Sequence, residues 1–314
     1  MKTIELPLLD DFLLDLKVNG YSPETIYNYE RDLTVFKNFL AEENLEFKKI
    51  SKRDILNYKA YLISIDRKTP DDKTTDKNLS AYSTNRMLSS LRSLFKYLIE
   101  MDHPVPLPPD AIKMSKTIKK KPQIPELSEL ITLIESPTKL EADRRIALRN
   151  RAIFEVLFAT GMRISELVNL RQDKIDAHGR IFILGKGKKE RFVYLTPRAI
   201  KYLDEYLKIK GKHSPFVFVP FKGMNVNNVK GAKISTNYIQ ERIKRYRELL
   251  GINLPISAHT LRHGFATYLA ESGANPAAIQ VLLGHESLDT TTRYVHASDR
   301  YAESVQKQFH PLKN

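Results

Sequence analysis

The sequence predicts a mainly helical protein of two domains, an N-terminal helical domain and a larger α+β domain with one small β-sheet. In the first third of the 314-residue chain, apolar residues recur at helical spacing. A proline-rich and then lysine-rich stretch follows. The remainder combines helical stretches with a single pair of alternating, strand-like runs. A chain of this length can build two separate hydrophobic cores.

The N-terminal domain contains two helices with clear start signals. Ser22 followed by Pro23 is typical of an N-cap with proline at the first helical position. Ser51 with Asp54 three residues later is a variant of the capping box. The polar stretch over 67–80 that follows lacks periodicity and predicts an exposed loop.

A strongly amphipathic helix is predicted over 83–101. One face is apolar and is expected to pack on a core: Met87, Leu91, Leu94, Phe95 and Leu98. The other face carries three cations that are candidate phosphate contacts: Arg86, Arg92 and Lys96. The alternative interpretation is that these three cations form an ordinary solvent-exposed face. The net charge of the chain supports contacts with phosphate groups as well.

The domain boundary is predicted at PVPLPPD (104–110). The next stretch carries several lysines and no acid, among them Lys119, Lys120 and Lys121. We therefore predict a helical domain over 1–110, a basic linker over 111–122 that lies against phosphates, and an α+β domain over 123–314.

Local signals predict the elements of the second domain in order. RNRAIFEVLFATG (149–161) predicts a helix that ends at Gly161, and MRISELVNL (162–170) begins another. RIFILGKGKKERFVYL (180–195) alternates around a Gly- and Lys-rich turn, which predicts a β-hairpin. Further helix starts and ends are indicated at Thr196, Ser235, Asn275, Gly211 and Gly273.

The composition narrows the class of protein. A formal net charge of +14 favours a polyanionic partner, and nucleic acid is preferred to a membrane surface because no basic amphipathic helix has an aromatic, lipid-facing edge. The chain has no cysteine, which excludes disulfides and thiolate metal sites. Acids stand where a signal peptide would have its apolar core, so we expect a cytoplasmic protein.

The stretch HTLRHGFATYLA (259–270) places His259, Arg262 and His263 on one helical face. The H-x-x-x-H spacing suits two zinc ligands, but a zinc protease needs Glu directly after the first histidine and Thr260 is there instead. Arg262 would also hold a positive charge beside the metal. We therefore expect no metal here.

An anion fits this face better, because a guanidinium matches phosphate oxygens. Arg163, which follows Gly161 at a helix start, is a second candidate ligand. Lys186 in GKGKK is a candidate general acid, and the alternative interpretation is a basic hairpin tip without a catalytic role. The stretch is not a P-loop, because the glycine spacing differs from that motif. With no cysteine, the nucleophile must be Ser, Tyr or His, and Tyr294 is one of fifteen tyrosines.

Four motifs in register resemble the tyrosine recombinase (phage integrase-like) family: ATGMRISEL, GKGKKERFVYL, HTLRHGFATYL and LLGHESLDTTTRYVH. The resemblance is greatest to the Xer branch, which resolves chromosome or plasmid multimers. It covers nearly the whole chain. YSPETIYNYERDLTVFKNFL and STNRMLSSLRSLFKYLIE resemble the helical, SAM-like core-binding domain of that family, and residues 123–314 resemble its catalytic domain.

The resemblance implies how this chain binds a phosphate. Arg163 and Arg262 would hold the scissile phosphate from two sides. Lys186 would protonate the departing 5′ oxygen, and His285 would donate to a phosphate oxygen. No metal, nucleotide or other cofactor is implied.

The resemblance also implies the covalent step. Tyr294 would attack the phosphate and form a 3′-phosphotyrosyl enzyme, with His259 as general base or hydrogen-bond partner. Glu166, one turn after Arg163, would orient the site. For His263 the family offers no catalytic counterpart, and we expect it to pack or cap.

The C-terminal stretch SDRYAESVQKQF (298–309) predicts a short amphipathic helix. It would either pack on its own domain or, as the family implies, dock into a neighbouring subunit. The implied partners are double-stranded DNA at a specific site and a tetramer on paired sites, formed by this chain alone or with a paralogue. A DNA translocase is a possible activator.

Four alternatives compete with Xer-type recombination. A mobile-element integrase often has an extra N-terminal domain, whereas this chain begins at the core-binding helices. A type IB topoisomerase shares the chemistry, but the simple two-domain chain suits recombination better. A catalytically inactive DNA-binding accessory protein is disfavoured, because every residue that the resemblance assigns to catalysis is present. A metal-dependent nuclease would show metal-dependent cleavage.

Overall fold

Helices dominate the fold, as the sequence predicts. The computed structural model describes residues 5–65, 67–71, 73, 78–117, 123–184, 190–211, 214–223 and 231–284. These residues form twelve α-helices and one two-stranded sheet, and the chain divides into two compact units, Met1–Lys121 and Pro122–Asn314. None of the described helices combines the length and the apolar character that a membrane span requires.

In the described part of the first unit, the named regular elements are helices. Its four α-helices are α1 (Leu9–Val18), α2 (Pro23–Glu42), α3 (Lys52–Ile63) and α4 (Ala81–Glu100). The two predicted start signals are confirmed: Ser22 accepts a hydrogen bond from the backbone of Thr25, and Ser51 forms a capping box with Asp54. These caps satisfy backbone N–H groups that have no partner within the first helical turn.

The core of the first unit confirms the amphipathic pattern of α4. All five residues predicted to face a core are buried: Met87, Leu91, Leu94, Phe95 and Leu98. They share one cluster with buried side chains of α2 and α3, including Phe36 and Tyr58. The helix begins two residues before the predicted start, because Ser80 caps it by accepting from the backbone of Ser83.

Residues that follow the proline-rich stretch pack onto this unit. Ile112 is fully buried in its core. The amide of Asn85 exchanges two hydrogen bonds with the backbone of Ser115, at 2.7 and 2.9 Å. The beginning of the 111–122 segment is therefore anchored to the first unit.

The second unit surrounds one long helix with shorter elements. Its helices are α5 (Leu127–Glu135), α6 (Pro137–Leu140), α7 (Arg144–Thr160), α8 (Ile164–Val168), α9 (Pro197–Lys210), α10 (Thr236–Leu249), α11 (Ala258–Glu271) and α12 (Pro276–Leu283). The predicted N-caps are confirmed at Thr196, Ser235 and Asn275, each of which accepts a backbone hydrogen bond.

Helix α7 lies at the centre of this unit and packs against α6, α9 and α11. It carries buried polar side chains as well as apolar ones, and those side chains have partners. Arg149 donates to the carbonyl of Val219 at 2.9 Å, and Arg151 pairs with Glu155 at 2.8 Å. Such partners offset the cost of removing polar groups from water.

The predicted hairpin is present as an antiparallel pair, β1 (Arg180–Leu184) and β2 (Glu190–Tyr194). Burial alternates along β2, so Arg191 and Val193 face the interior while their neighbours are exposed. The residues that join the strands, including Lys186, lie outside the described residues.

Candidate active site

A glycine turn brings Arg163 to the start of α8. Gly161 ends α7 in the left-handed conformation, with φ at 59°. A Cβ atom at that position would lie 2.3 Å from Cδ1 of Phe265, so only glycine fits. The turn places Arg163 at the N-cap position, where its backbone N–H donates to Glu166 at 2.7 Å.

Glu166 lies between two guanidinium groups. Arg163 donates to Oε1 at 3.1 Å, and Arg191 binds both carboxylate oxygens, at 3.0 and 2.6 Å. Burial alone would raise the pKa of Glu166, but the hydrogen bonds from Arg191 and from the Arg163 backbone, with both positive charges, outweigh it and lower that pKa. The carboxylate is therefore ionised and holds both arginines in place.

Three arginines hold the C-terminal end of α12. Arg191 Nε donates to the carbonyl of Leu282 at 3.0 Å, and Arg262 Nη2 donates to that of Leu283 at 2.6 Å. Arg163 Nη2 reaches the carbonyl of Gly284 at 3.4 Å. Carbonyls at the end of a helix have no intrahelical partner and carry the negative end of its dipole, which favours cations there.

Gly284 gives Arg191 the space that this arrangement needs. It ends α12 in the left-handed conformation, with φ at 64°. A Cβ atom would lie 3.0 Å from Cδ of Arg191 and 3.2 Å from its Nη1. In the sequence, His285 is the residue that directly follows this glycine.

The structure brings Arg163 and Arg262 together although they are far apart in sequence. Their guanidiniums bind the neighbouring carbonyls of Gly284 and Leu283. Arg262 is 5% exposed and also donates to the carbonyl of Gly161 at 2.6 Å, whereas the side chain of Arg163 is 38% exposed. One cation is thus fixed in the interior and the other remains accessible.

His259 lies in the field of both arginines. Ser257 caps α11 with Thr260 and places His259 in the first turn. The neighbours of the ring partly remove it from water, and this desolvation is the largest cause that lowers the pKa of His259 below 6.5. The positive charges of Arg262 and Arg163 lower that pKa further. The imidazole is therefore neutral near pH 7 and can accept a proton.

His263 contacts His259 directly. The two Nε2 atoms are 2.7 Å apart, and the ring planes are inclined at 80°. Residues one helical turn apart share a face, so this contact follows from the i, i+4 spacing.

Several predicted functional residues lie outside the described residues. They are Lys119, Lys120, Lys121, Lys186, His285, Tyr294 and the 298–309 helix.

The candidate DNA-contacting cations of α4 differ in their surroundings. Arg86 is paired at 2.6 Å with Asp32, whose side chain is 3% exposed. Arg92 pairs with the exposed Asp110 at 2.5 Å, and Lys96 is exposed. Arg86 therefore has a structural partner in addition to any contact with DNA.

Sequence reasoning missed Arg191. A usable signal was present, because the alternation of β2 puts Arg191 on the same face as the buried Val193. A buried arginine needs an acceptor, and Glu166 supplies it. The acceptor comes from a different element, so the sequence alone does not name it.

Comparison with known proteins agrees with this architecture. Residues 126–300 match the phage integrase family, and residues 9–101 match the phage integrase N-terminal SAM-like domain. The chain is 34% identical over 306 residues to tyrosine recombinase XerC of Staphylococcus aureus strain MSSA476, covering 96% of this chain and 95% of the relative. It is 31% identical over 309 residues to XerD of Staphylococcus haemolyticus, covering 97% and 98%.

Solved structures show the same fold. The crystal structure of XerA recombinase is 26% identical with a TM-score of 0.51, covering 96% of this chain and 98% of that one. XerH bound to a palindromic difH substrate, in a post-cleavage complex, is 21% identical with a TM-score of 0.72, covering 98% and 90%. This chain belongs to the phage integrase family of tyrosine recombinases. Its relatives include the Xer recombinases XerC and XerD, as the motifs predict.

Proposed function

We propose that this site-specific recombinase resolves dimers of chromosomes or plasmids, and that it cuts and rejoins DNA through a 3′-phosphotyrosyl intermediate. One observation carries the proposal. The guanidiniums of Arg163 and Arg262 are held on neighbouring carbonyls, and their charges act on His259. The similarity to XerC and XerD over nearly the whole chain supports the biological role.

In the proposed cleavage step, the phenolic oxygen of Tyr294 attacks the phosphorus and the bond to the 5′ oxygen breaks. His259 takes the proton of the tyrosine, and Lys186 gives a proton to the departing oxygen. Arg163 and Arg262 offset the additional negative charge of the transition state, and losing one such donor costs about 10²–10³ in rate. A 5′ hydroxyl reverses the step, so the bond is rejoined without nucleotide hydrolysis.

Two further residues support this step. His285 donates to a phosphate oxygen, and its position directly after Gly284 supports this role, because Arg163 binds the carbonyl of Gly284. Glu166 orients the arginines rather than exchanging a proton with the substrate. Its two guanidinium partners and its lowered pKa support an ionised carboxylate throughout the reaction.

We further propose that residues 1–110 bind the core of the DNA site, that the basic segment 111–122 follows the phosphate backbone, and that 123–314 contains the catalytic domain. The net charge of +14 supports a large electrostatic contribution to binding. The cations assigned to phosphates are Arg86, Arg92, Lys96, Lys119, Lys120 and Lys121.

The active form is proposed to be a tetramer on two paired sites in the cytoplasm, with the helix over 298–309 exchanged between subunits. A lambda integrase tetramer bound to a Holliday junction has the same fold, with a TM-score of 0.70. The four subunits are copies of this chain or include a paralogue, and a DNA translocase is a candidate activator. Relatives named XerC and XerD make a paired arrangement a reasonable expectation.

Covalent trapping tests the proposed function. The protein is incubated in EDTA with nicked duplex fragments of its own genome, and the products are separated on a denaturing gel. We expect a protein–DNA adduct in the wild type that is lost in Tyr294→Phe. Tyr194→Phe, which changes a tyrosine of β2 that is 53% exposed and has no role in the proposed step, is the matched control and should retain the adduct.

The outcomes separate the alternatives. An adduct that survives Tyr294→Phe means that another residue is the nucleophile. Cleavage that requires a divalent metal indicates a metal-dependent nuclease, and DNA binding without an adduct indicates an accessory protein. The sequence of the trapped DNA distinguishes a chromosomal resolution site from the end of a mobile element.

A further inference from the structure

Helix α11 holds two imidazole rings in direct contact. The Nε2 atoms of His259 and His263 are 2.7 Å apart, which is hydrogen-bond distance. The rings are nearly perpendicular, with centroids 4.1 Å apart. His263 does not take part in the proposed cleavage step, and that step does not account for this contact.

A hydrogen bond between two nitrogen atoms contains one proton. Two imidazolium rings would direct two N–H groups at each other, so at most one ring of the pair is charged in this contact. A neutral imidazole carries one proton, on either Nδ1 or Nε2. In the neutral pair, one ring therefore carries its proton on Nε2 and the other carries it on Nδ1.

The direction of this hydrogen bond decides what His259 can do. If His259 donates from Nε2, its Nδ1 is unprotonated and can act as a base. If His263 donates instead, Nδ1 of His259 carries the proton and is only a donor. The same side chain is therefore a base in one arrangement and a hydrogen-bond donor in the other.

We infer that His263 is a positioning residue that accepts the Nε2 proton of His259 and thereby keeps Nδ1 of His259 unprotonated. This inference rests on the proposed function, in which His259 takes the proton of the nucleophile. Only the arrangement in which His259 donates to His263 leaves a ring nitrogen available for that step. The buried carboxylate of serine protease triads orients its histidine in the same way.

The surroundings of His259 agree with this assignment. The desolvation of the ring and the positive charges of Arg262 and Arg163 lower its pKa and favour the neutral ring. A carboxylate partner would favour the charged ring, whereas a neutral imidazole accepts the proton without that effect. His263 therefore orients His259 and leaves it neutral in the free enzyme.

Nuclear magnetic resonance of the free protein tests the inference independently of activity. Long-range ¹H–¹⁵N spectra of protein labelled with ¹⁵N-histidine report which nitrogen of each ring carries the proton. His259→Gln and His263→Gln identify the two rings among the eight histidines. We expect His259 to carry its proton on Nε2, and a proton on Nδ1 would overturn the inference.

Cleavage rates provide the second readout. His263→Phe removes the acceptor, and we expect the single-turnover rate to fall about 10²-fold, at the lower end of what a general base contributes. His263→Gln keeps an acceptor oxygen and should retain most of the rate. The exposed His178, changed to Gln, is the matched control and should leave the rate unchanged. Circular dichroism verifies that each variant is folded.

The outcomes distinguish this inference from the proposed function. If no wild-type adduct forms on any substrate, the proposed function fails and the spectra still decide the protonation of His259. If adducts form but His263→Phe keeps the wild-type rate, His263 does not position the base. Equal losses in His263→Phe and in His263→Gln would also overturn the inference, because the acceptor would then not matter.

Discussion

Replacing Arg191 with methionine removes three hydrogen bonds but keeps an unbranched side chain of similar length. Two of these bonds bind the carboxylate of Glu166, at 3.0 and 2.6 Å, and the third binds the carbonyl of Leu282 at 3.0 Å. The side chains of Arg191 and Glu166 are only 5% and 10% exposed. Water therefore cannot readily replace the lost partner.

The expected loss of stability follows from these contacts. Removing one partner of a buried ion pair costs about 3–5 kcal/mol, because the other charge stays buried without compensation. Arg163 remains as a second partner of Glu166 at 3.1 Å, so we expect the lower end of that range. For a unit of this size, a loss of about 3 kcal/mol lowers the Tm by about 6–12 °C.

Thermal unfolding followed by circular dichroism measures this loss, and hydrogen–deuterium exchange locates it. Peptides from α8 and α12 should exchange faster in Arg191→Met than in the wild type. Arg180→Met on the neighbouring strand is the matched control. Its partner Asp176 is also 2.6 Å away, but both side chains are far more exposed. We expect the control to unfold close to the wild-type temperature.

The pH dependence of unfolding checks independently that the lost ion pair with Glu166 causes the loss of stability in Arg191→Met. The folded-state pKa of Glu166 lies below 4.5, so its ion pairs stabilise the fold fully above pH 4.5. That contribution is lost as the pH falls through the folded-state pKa, and the gap between wild type and Arg191→Met should then narrow. A loss of less than about 1 kcal/mol at pH 7, or a gap that is constant with pH, would refute the reasoning.

Four further predictions concern other parts of the site and the first unit. Gly161→Ala should lower the free energy of unfolding by about 1–3 kcal/mol and reduce adduct formation, because the position has a positive φ and no space for Cβ. The acid limb of the kcat/KM profile for cleavage should lie below pH 6.5, because the pKa of His259 is lowered in the free enzyme. Arg86→Ala should destabilise the first unit, since Asp32 would stay buried without its cation, as thermal unfolding would show. Lys96→Ala should leave unfolding unchanged and reduce the slope of log K against log salt by about 1.

Each of these predictions has a contrary outcome. Wild-type adduct yield in Gly161→Ala would mean that the turn does not position the arginines. An acid limb above pH 6.5 would mean that another group controls it or that the charges of the arginines do not reach His259. Equal unfolding temperatures for Arg86→Ala and Lys96→Ala would show that the buried pair with Asp32 contributes little.

Local signals predicted much of the helical fold. The caps at Ser22, Ser51 and Thr196 use side chains that bind backbone groups three residues away, so a short window of sequence contains the whole interaction. Helix α1 lacks such a signal, because Leu8 precedes it with φ at 49° and makes no side-chain cap. Local sequence signals therefore do not predict α1.

The site was predictable only in part. The sequence indicated Arg163 and Arg262 through their local settings, and the family resemblance grouped them. It did not indicate that both bind the end of α12, because that contact joins three separate segments of the chain. The pair of Arg191 with Glu166 was missed for the same reason, since its two residues come from a strand and a helix.

The anchoring of Gly284 limits how far the nucleophile can travel. Tyr294 is ten residues beyond Gly284 in the sequence (294 − 284 = 10). A fully extended chain spans at most about 3.6 Å per residue, so the backbone of the tyrosine cannot lie more than about 36 Å from Gly284. The phosphate that Tyr294 attacks, in the same subunit's half-site or a neighbour's, must therefore lie within this distance plus the length of the tyrosine side chain. Shortening or lengthening the segment between these two residues therefore changes which phosphates are within reach without altering the arginines that bind them.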